Sequence, residues 1–191
     1  MPPALNSGNP ITAAVMFTDV VHLPIVKTLV WPNEAATQQF AAALAACPAL
    51  PDALITLHGD LGTGETTLVR HLLRALGVPG RIKSPTYAVV EPYELPGLDI
   101  WHFDFYRFGD PREWEDAGFR DIFASPGLKL VEWPDKAAGC LPQADLAIEL
   151  RVQDEDARWI TLTAQTGIGL DLLESGFAAP VRRLMAGHGK P

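Results

Sequence analysis

The sequence predicts an α/β protein of three layers, in which a mixed, mainly parallel β-sheet with a C-terminal β-hairpin lies between helices. Three observations support this prediction. A short apolar run leads into a glycine-rich loop, and a segment with leucines at helical spacing follows. Two further apolar runs end on carboxylates, as strands that border a site in a parallel sheet do. Near the C-terminus, two alternating segments flank the polar turn Asp154-Glu155-Asp156, which is typical of a β-hairpin.

Length and composition predict the domain organisation. A chain of 191 residues with 48% apolar and 20% charged residues is typical of one globular domain with short extensions. We expect a disordered N-terminal extension over residues 1–23, where Pro, Asn and Gly recur. A folded domain should follow over residues 24–166, and a partly helical tail over residues 167–191.

Charge and apolar patterning exclude several classes of function. The net charge of −8 leaves no polycationic surface, so we expect no strong direct nucleic-acid binding, and an RNA-related role would act through protein partners. No apolar run approaches the ~20 residues of a membrane span, and no basic residue precedes the short N-terminal apolar patch. Cys47 and Cys140 match no metal or redox spacing. We therefore expect a cytoplasmic protein with reduced thiols and no membrane partner.

The individual elements follow from periodicity and from helix-ending residues. Asn33 is a suitable N-cap for the first helix, and Glu34 favours its first turn. Gly77 ends the helix after the glycine-rich loop, because glycine readily adopts the left-handed conformation that closes helices. In chain order, strands are predicted over residues 25–31, 54–58, 88–95, 98–105, 128–133, 146–152 and 159–163. Helices are predicted over residues 34–46, from the glycine-rich loop to residue 77, and over residues 110–116. One or two further helical turns are predicted over residues 118–124.

The glycine-rich loop of residues 59–67, called the glycine loop below, is the candidate phosphate site. Gly59, Gly64 and Thr66 match the pattern G-x-x-x-x-G-K-[ST], and a strand and a helix flank the loop as that pattern requires. Backbone N–H groups of such a loop surround an anion at the helix N-terminus, and the threonine hydroxyl binds Mg²⁺. The sequence therefore predicts a P-loop NTPase-like fold. The candidate nucleotide-binding residues of the loop are Gly59, Asp60, Leu61, Gly62, Thr63, Gly64, Glu65, Thr66 and Thr67.

Further candidates lie where strands meet loops. Asp104 and Glu132 follow apolar strands. Such a carboxylate is often only a turn or cap residue, but the upstream phosphate loop favours a magnesium role for both. Thr86 lies in a loop where a switch residue would lie, although its Ser-Pro-Thr sequence alone indicates a turn. Trp133 is either a core residue or a wall of the nucleotide site, and His102 is interpreted as a hydrogen-bonded core or edge histidine rather than a ligand.

Four motifs, in order and spacing, resemble the TsaE family, small bacterial ATPases of tRNA threonylcarbamoyladenosine (t6A) biosynthesis. The motifs are the glycine loop and residues 84–87, 102–107 and 131–135, and the resemblance extends over residues 29–163. It implies that residues 24–166 form a P-loop ATPase domain that binds ATP or ADP with Mg²⁺ and hydrolyses ATP slowly. It also implies the TsaB–TsaD heterodimer as partner, in a complex that transfers a threonylcarbamoyl group to adenosine 37 of tRNA. The chain would then contact tRNA only indirectly, through that complex.

The resemblance also implies roles for individual residues. By motif match, Thr66 and Glu132 would bind magnesium, and Asp104 would be the Walker-B-like carboxylate at the metal. Thr86 would belong to a switch loop, and Trp133 would form a wall of the nucleotide pocket. These five residues lie in the four motifs, and the roles of Asp104, Glu132 and Thr86 would be catalytic.

The chain departs from the family at Glu65, where a lysine normally reaches the β- and γ-phosphates. Two like unit charges ~4 Å apart repel by about 4 kcal/mol at an effective dielectric of ~20. An outward rotation of Glu65 or an extra cation would reduce this cost. We therefore expect weakened ATP binding and much slower hydrolysis.

Two alternatives to an ATPase stay open. One is a catalytically inactive nucleotide-binding or scaffold subunit of the same complex, which Glu65 favours. The other is a small-molecule kinase, but such enzymes use an arginine-rich lid, and residues 108–127 contain only two arginines among five acidic residues.

Overall fold

A seven-stranded mixed β-sheet forms the centre of the computed structural model, which describes residues 24–110, 113–114 and 117–176. The strands are β1 (Ile25–Trp31), β2 (Leu54–Gly59), β3 (Val90–Leu95), β4 (Leu98–Asp104), β5 (Leu128–Glu132), β6 (Leu146–Val152) and β7 (Arg158–Ala164). Their order across the sheet is β1-β7-β6-β2-β5-β4-β3. The neighbours β6, β2, β5 and β4 pair in parallel, whereas the other three pairs are antiparallel. The α/β fold with a mixed sheet is confirmed, and its parallel pairing is confined to these four strands.

Helices cover both faces of the sheet. Among the described residues, the α-helices are α1 (Glu34–Ala45), α2 (Glu65–Ala75), α3 (Phe119–Ala124) and α4 (Gly167–Gly176). Side chains of α1, α2 and α4, such as Phe40, Leu72 and Leu172, share one buried cluster with one face of the sheet. On the other face, Phe119 of α3 joins a second cluster with Phe103. The three-layer arrangement follows from strands that are apolar on both faces.

Short-range signals in the sequence account for most element ends. The Asn33 side chain accepts a hydrogen bond from the Ala36 N–H at 3.2 Å, so the predicted N-cap of α1 is confirmed. The predicted hairpin is also present, since β6 and β7 pair antiparallel in register from Leu146–Ala164 to Val152–Arg158. The tight turn between β3 and β4 contains Gly97 at φ 78°, a conformation that glycine adopts without strain.

The packed domain extends beyond the boundary that the sequence suggested at residue 166. Helix α4 lies against β7, β6 and α1, with Leu172 and Leu173 buried. Gly176 lies so close to the ring of Phe40 that a β-carbon would collide with it. The first ten residues of the predicted, partly helical tail therefore form a helix that packs against the core.

Some predictions fall on residues outside the described ranges. These are the disordered extension over residues 1–23, the tail beyond residue 176, and the helix over residues 110–116 at positions 111–112 and 115–116. Within the described ranges, no helix has the length and apolar character needed to cross a membrane.

An aromatic cluster fixes the end of β4. Phe103 and Phe105 stack with ring centroids 5.6 Å apart, and Phe119 meets the Phe103 ring edge-on at 5.3 Å. Phe103 and Phe105 are both fully buried. Because side chains alternate along a strand, Asp104 between them points to the opposite side of the sheet. Its register partner on β5 is Glu132, which brings the two predicted carboxylates to the same sheet edge.

Candidate nucleotide-binding site

The glycine loop has the backbone shape of a phosphate cradle. It connects the end of β2 to the start of α2, and Gly62 and Gly64 adopt φ values of 85° and 116° that favour glycine. Gly59 has no room for a β-carbon, which would collide with Thr63 Oγ1 and Glu65 Oε1. The first N–H groups of α2 lack helical partners and point into the loop, so the cradle presents donors to an anion.

Glu65 folds into this cradle, and its outward rotation in response to a bound phosphate stays a prediction. Its side chain is only 5% exposed, and Oε2 accepts a hydrogen bond from the Gly64 N–H at 3.0 Å. Oε1 is buried beside Gly59 and has no hydrogen-bond partner, and the same holds for Thr63 Oγ1. The carboxylate thus takes up part of the space and one of the donors that a phosphate would use.

The environment of Glu65 disfavours its charge. Burial is the main cause that raises the pKa of this carboxyl, and the nearby negative charge of Glu132 raises it further. Hydrogen bonds from backbone N–H groups lower the pKa and partly offset these effects. A lysine at the same position would have the opposite interaction with Glu132.

Thr66 and Glu132 meet directly at the start of α2. The Thr66 hydroxyl donates to Glu132 Oε2 at 2.7 Å, and His102 Nε2 lies 2.7 Å from Oε1 of the same carboxylate. His102 is completely buried, so the interpretation of a hydrogen-bonded core histidine is confirmed. With both carboxylate oxygens engaged, Glu132 has one fixed orientation, and this histidine provides a support that the sequence did not reveal.

A second group of contacts holds the loop before β3 against the end of β4. Asp104 Oδ2 accepts hydrogen bonds from the Ser84 hydroxyl and from the Thr86 hydroxyl, the latter at 2.5 Å. Its Oδ1 accepts the Tyr106 N–H at 2.9 Å. Sequence reasoning selected Thr86 and overlooked Ser84, although the Ser-Pro-Thr sequence contained both hydroxyls.

These two groups surround one cavity of about 310 Å³. Glu65, Asp104 and Glu132 are three carboxylates on its wall, and none of the described residues that line it is a lysine or an arginine. The predicted residues that it brings together are Leu61, Gly62, Gly64, Glu65, Thr66, Thr67, Thr86, Asp104, Glu132 and Trp133, and the unpredicted ones are Ser84 and Tyr106.

The remaining loop residues lie on the other side of the cradle. Gly59, Asp60 and Thr63 line a larger cavity of about 830 Å³, which extends along β6 and β7. Arg158 of β7 anchors this side, because its Nε donates to the Thr63 carbonyl at 2.9 Å. No local pattern in the sequence indicates this contact, since it joins residues that are 95 positions apart.

Trp133 lies between the two cavities and lines both of them. Its indole packs against Tyr106 with ring centroids 5.0 Å apart and also borders the aromatic cluster. It adopts φ 57°, which is strained for a residue with a β-carbon. The two interpretations of Trp133 as core residue and as site wall are therefore compatible.

The donor set of the smaller cavity fits magnesium. Mg²⁺ prefers oxygen ligands and is commonly held by one or two protein carboxylates while it keeps several waters. Thr66, Glu132 and Asp104 supply hydroxyl and carboxylate oxygens on one cavity wall, and the buried Glu65 Oε1 has no partner. In the described part of the chain, no group of three or more His, Cys, Asp or Glu side chains is arranged to hold a metal by itself, so a magnesium ion here would depend on the Thr66 hydroxyl, water and phosphate oxygens for its other ligands.

The fold and the loop geometry define the class of protein: an α/β protein of the P-loop type, as the sequence predicted. The crystal structure of YdiB from Bacillus subtilis superposes with a TM-score of 0.65 at 28% identity, and covers 82% of this chain and 97% of YdiB. That match confirms the predicted fold class.

The family follows from sequence comparison. The family model for the threonylcarbamoyl adenosine biosynthesis protein TsaE matches residues 31–160, so the chain belongs to the TsaE family. The tRNA threonylcarbamoyladenosine biosynthesis protein TsaE of Haemophilus influenzae is 45% identical over 122 residues, which are 64% of this chain and 77% of the relative. The protein of the same name from Bacillus subtilis is 38% identical over 123 residues, with the same coverage. The predicted resemblance is confirmed, and proteins of this family are involved in t6A biosynthesis.

Proposed function

We propose that this chain is the nucleotide-binding ATPase subunit for t6A formation at adenosine 37 of tRNA. It binds ATP or ADP with Mg²⁺ at the glycine loop and acts in the cytoplasm with the TsaB–TsaD heterodimer, through which it reaches tRNA. The observation that carries this proposal is the 2.7 Å hydrogen bond between Thr66 and Glu132. Two motif residues far apart in sequence meet at the helix N-terminus where a nucleotide's phosphates would lie.

Five side chains in or behind the wall of the smaller cavity have a role in the proposal. Thr66 and Glu132 hold Mg²⁺, and Asp104 lies where it can orient water ligands of the metal. Bound magnesium supplies positive charge that offsets the phosphates. His102 keeps Glu132 in its binding orientation through the contact at Oε1. Thr86 belongs to a loop that Asp104 holds at the cavity, so this loop can close on a nucleotide.

Glu65 limits both binding and chemistry in this chain. A phosphate can occupy the cradle only after the carboxylate leaves the Gly64 N–H. Once displaced, Glu65 still lacks the positive charge that a lysine contributes to the transition state. Hydrolysis by this chain should therefore be slow, even with the partner proteins present.

The experiment compares wild type with Glu65→Lys. ATP turnover is measured with the TsaB–TsaD heterodimer present, together with t6A formation on tRNA. The lysine variant should hydrolyse ATP faster by orders of magnitude, because it regains the charge that stabilises the transition state. Equal turnover by the two proteins would show that Glu65 does not impair catalysis.

A second candidate function is a nucleotide-binding or scaffold subunit of the same complex that does no hydrolysis. The observation in its favour is the buried Glu65 carboxylate within the cradle. The two candidates differ in one measurement: the scaffold supports t6A formation without any ATP turnover above background. In that case Glu65→Lys would raise ATP turnover without raising t6A formation.

A further inference from the structure

Four basic side chains line a separate cavity beside the nucleotide site. Arg70 and Arg74 lie one turn apart on α2, and Arg81 and Lys83 lie on the loop that follows. Together with Thr66 they line a cavity of about 650 Å³. These four side chains are called the basic patch below.

Among the described residues, the four side chains of the basic patch have no acidic ion-pair partner. Residues 66–90 contain no Asp or Glu. Within the described part of the chain, none of the four side chains forms an ion pair, whereas Arg151 pairs with Glu149 at 2.6 Å. Arg74, Arg81 and Lys83 are exposed, and Arg70 is half-buried. A chain with a net charge of −8 thus gathers four unpaired cations around one cavity, where they repel one another unless an anion binds.

A group of carboxylates on a protein fits this surface better than a nucleic-acid strand does. Arginine binds a carboxylate through two parallel hydrogen bonds, and three of the four side chains are arginines. An RNA strand would extend beyond the basic patch onto the rest of the surface. Since the whole chain has a net charge of −8 with these four cations included, the residues outside the patch are more negative still and would repel the strand. A compact acidic face of a protein can match the four cations without that repulsion.

We infer that the basic patch is the docking surface for an acidic face of the protein partner with which this chain acts. The inference rests on the proposed function, which supplies that partner. Its position links docking to the nucleotide site. Lys83 directly precedes Ser84, whose hydroxyl donates to Asp104, and Thr86 donates to the same carboxylate. A carboxylate that engages Arg81 and Lys83 therefore holds this loop in place at the nucleotide cavity.

The test measures the affinity of the TsaB–TsaD heterodimer for full-length variants by biolayer interferometry. Lys83→Glu and the double variant Arg74→Glu/Arg81→Glu reverse charge within the basic patch. Lys27→Glu is the matched control, because it changes the net charge as Lys83→Glu does, at an exposed position on strand β1. Circular dichroism and thermal unfolding verify that each variant folds.

Lys83→Glu should weaken binding about tenfold, and the double variant more, because each reversal removes an attraction and adds a repulsion. Lys27→Glu should change the affinity by no more than about twofold, since Lys27 does not line the cavity of the basic patch and salt screens exposed charges. Higher salt should weaken the wild-type complex and have less effect on the double variant.

The contrary outcomes separate this inference from the proposed function. If the patch variants bind as tightly as wild type, the docking surface is wrong and the proposed function stands. If wild type does not bind TsaB–TsaD, both the proposed partner and this docking surface are wrong.

A parallel titration with tRNA tests whether the basic patch binds RNA instead of a protein. If tRNA binds wild type but not the patch variants, while TsaB–TsaD binding is unchanged, the surface belongs to RNA and the inference is overturned.

Discussion

Replacement of Glu65 by glutamine should increase the affinity for nucleotide, because it removes a negative charge from the cradle and keeps the side-chain shape. Oε2 of Glu65 accepts the Gly64 N–H at 3.0 Å, and Oε1 lies beside Gly59. A phosphate competes for that donor and that space, and the carboxylate also repels it. Nucleotide binding to wild type must therefore first break the contact with Gly64.

The geometry sets the size of the expected effect. A hydrogen bond to a charged group contributes about 1.5–3 kcal/mol. Unscreened repulsion between the carboxylate and a phosphate ~4 Å away would be about 4 kcal/mol at a dielectric of ~20. A displaced Glu65 moves away from the phosphate and so avoids most of this repulsion. The lost hydrogen bond to Gly64 is therefore the better measure of what the carboxylate costs nucleotide binding. Because the glutamine oxygen can still accept a neutral hydrogen bond worth about 1 kcal/mol, the net change is about 1 kcal/mol, which is a roughly fivefold lower dissociation constant for Glu65→Gln.

Isothermal titration calorimetry of ADP and ATP with Mg²⁺ measures this difference. Glu65→Lys should bind more tightly than Glu65→Gln, because its ammonium attracts the phosphates. Glu94→Gln is the control for net charge, since Glu94 is exposed on strand β3. If Glu65→Gln and wild type bind either nucleotide equally, the carboxylate does not compete with phosphate and the reasoning fails.

Three further predictions concern stability. Because burial raises the pKa of Glu65 in the folded state, its charge destabilises the fold as pH rises through that pKa. Glu65→Gln should therefore stabilise the protein more at pH 7.5 than near the unfolded pKa of 4.5, as seen by urea unfolding, and a pH-independent difference would contradict this cause. His102→Phe should lower stability by about 1–3 kcal/mol because it leaves Glu132 Oε1 buried without its partner; unchanged urea unfolding would show that the contact is dispensable. Phe103→Ala should lower the free energy of unfolding by about 3–5 kcal/mol, since Phe103 is completely buried in the aromatic cluster. A loss below about 1 kcal/mol would mean that neighbouring side chains fill the cavity that the substitution creates.

The sequence predicted those parts of the fold that depend on neighbouring residues. Asn33 as the cap of α1 and the pairing of β6 with β7 follow from local hydrogen bonding and from alternation. The position of α4 was not predictable in the same way. Its packing depends on the fit between Gly176 and the ring of Phe40, residues that are far apart in the chain.

In the candidate site, too, features that depend on neighbouring residues were predictable and long-range contacts were not. The residue types of Thr66 and Glu132 and their places after strand and loop indicated a common site, and the structure brings them within 2.7 Å. The direction of the Glu65 side chain could not be predicted, because it depends on free space at Gly59 and on a donor at Gly64. His102 likewise acquires its contact only when β4 and β5 pair.

The most direct test of the central claim is reconstituted t6A formation on tRNA with TsaB–TsaD, in the presence and absence of this chain. The threonylcarbamoyl donor is supplied and the modified adenosine is quantified by mass spectrometry. We predict that t6A accumulates over repeated turnovers only when the chain is present, and faster with Glu65→Lys than with wild type. An equal yield without the chain would contradict its assignment as a working subunit of t6A formation.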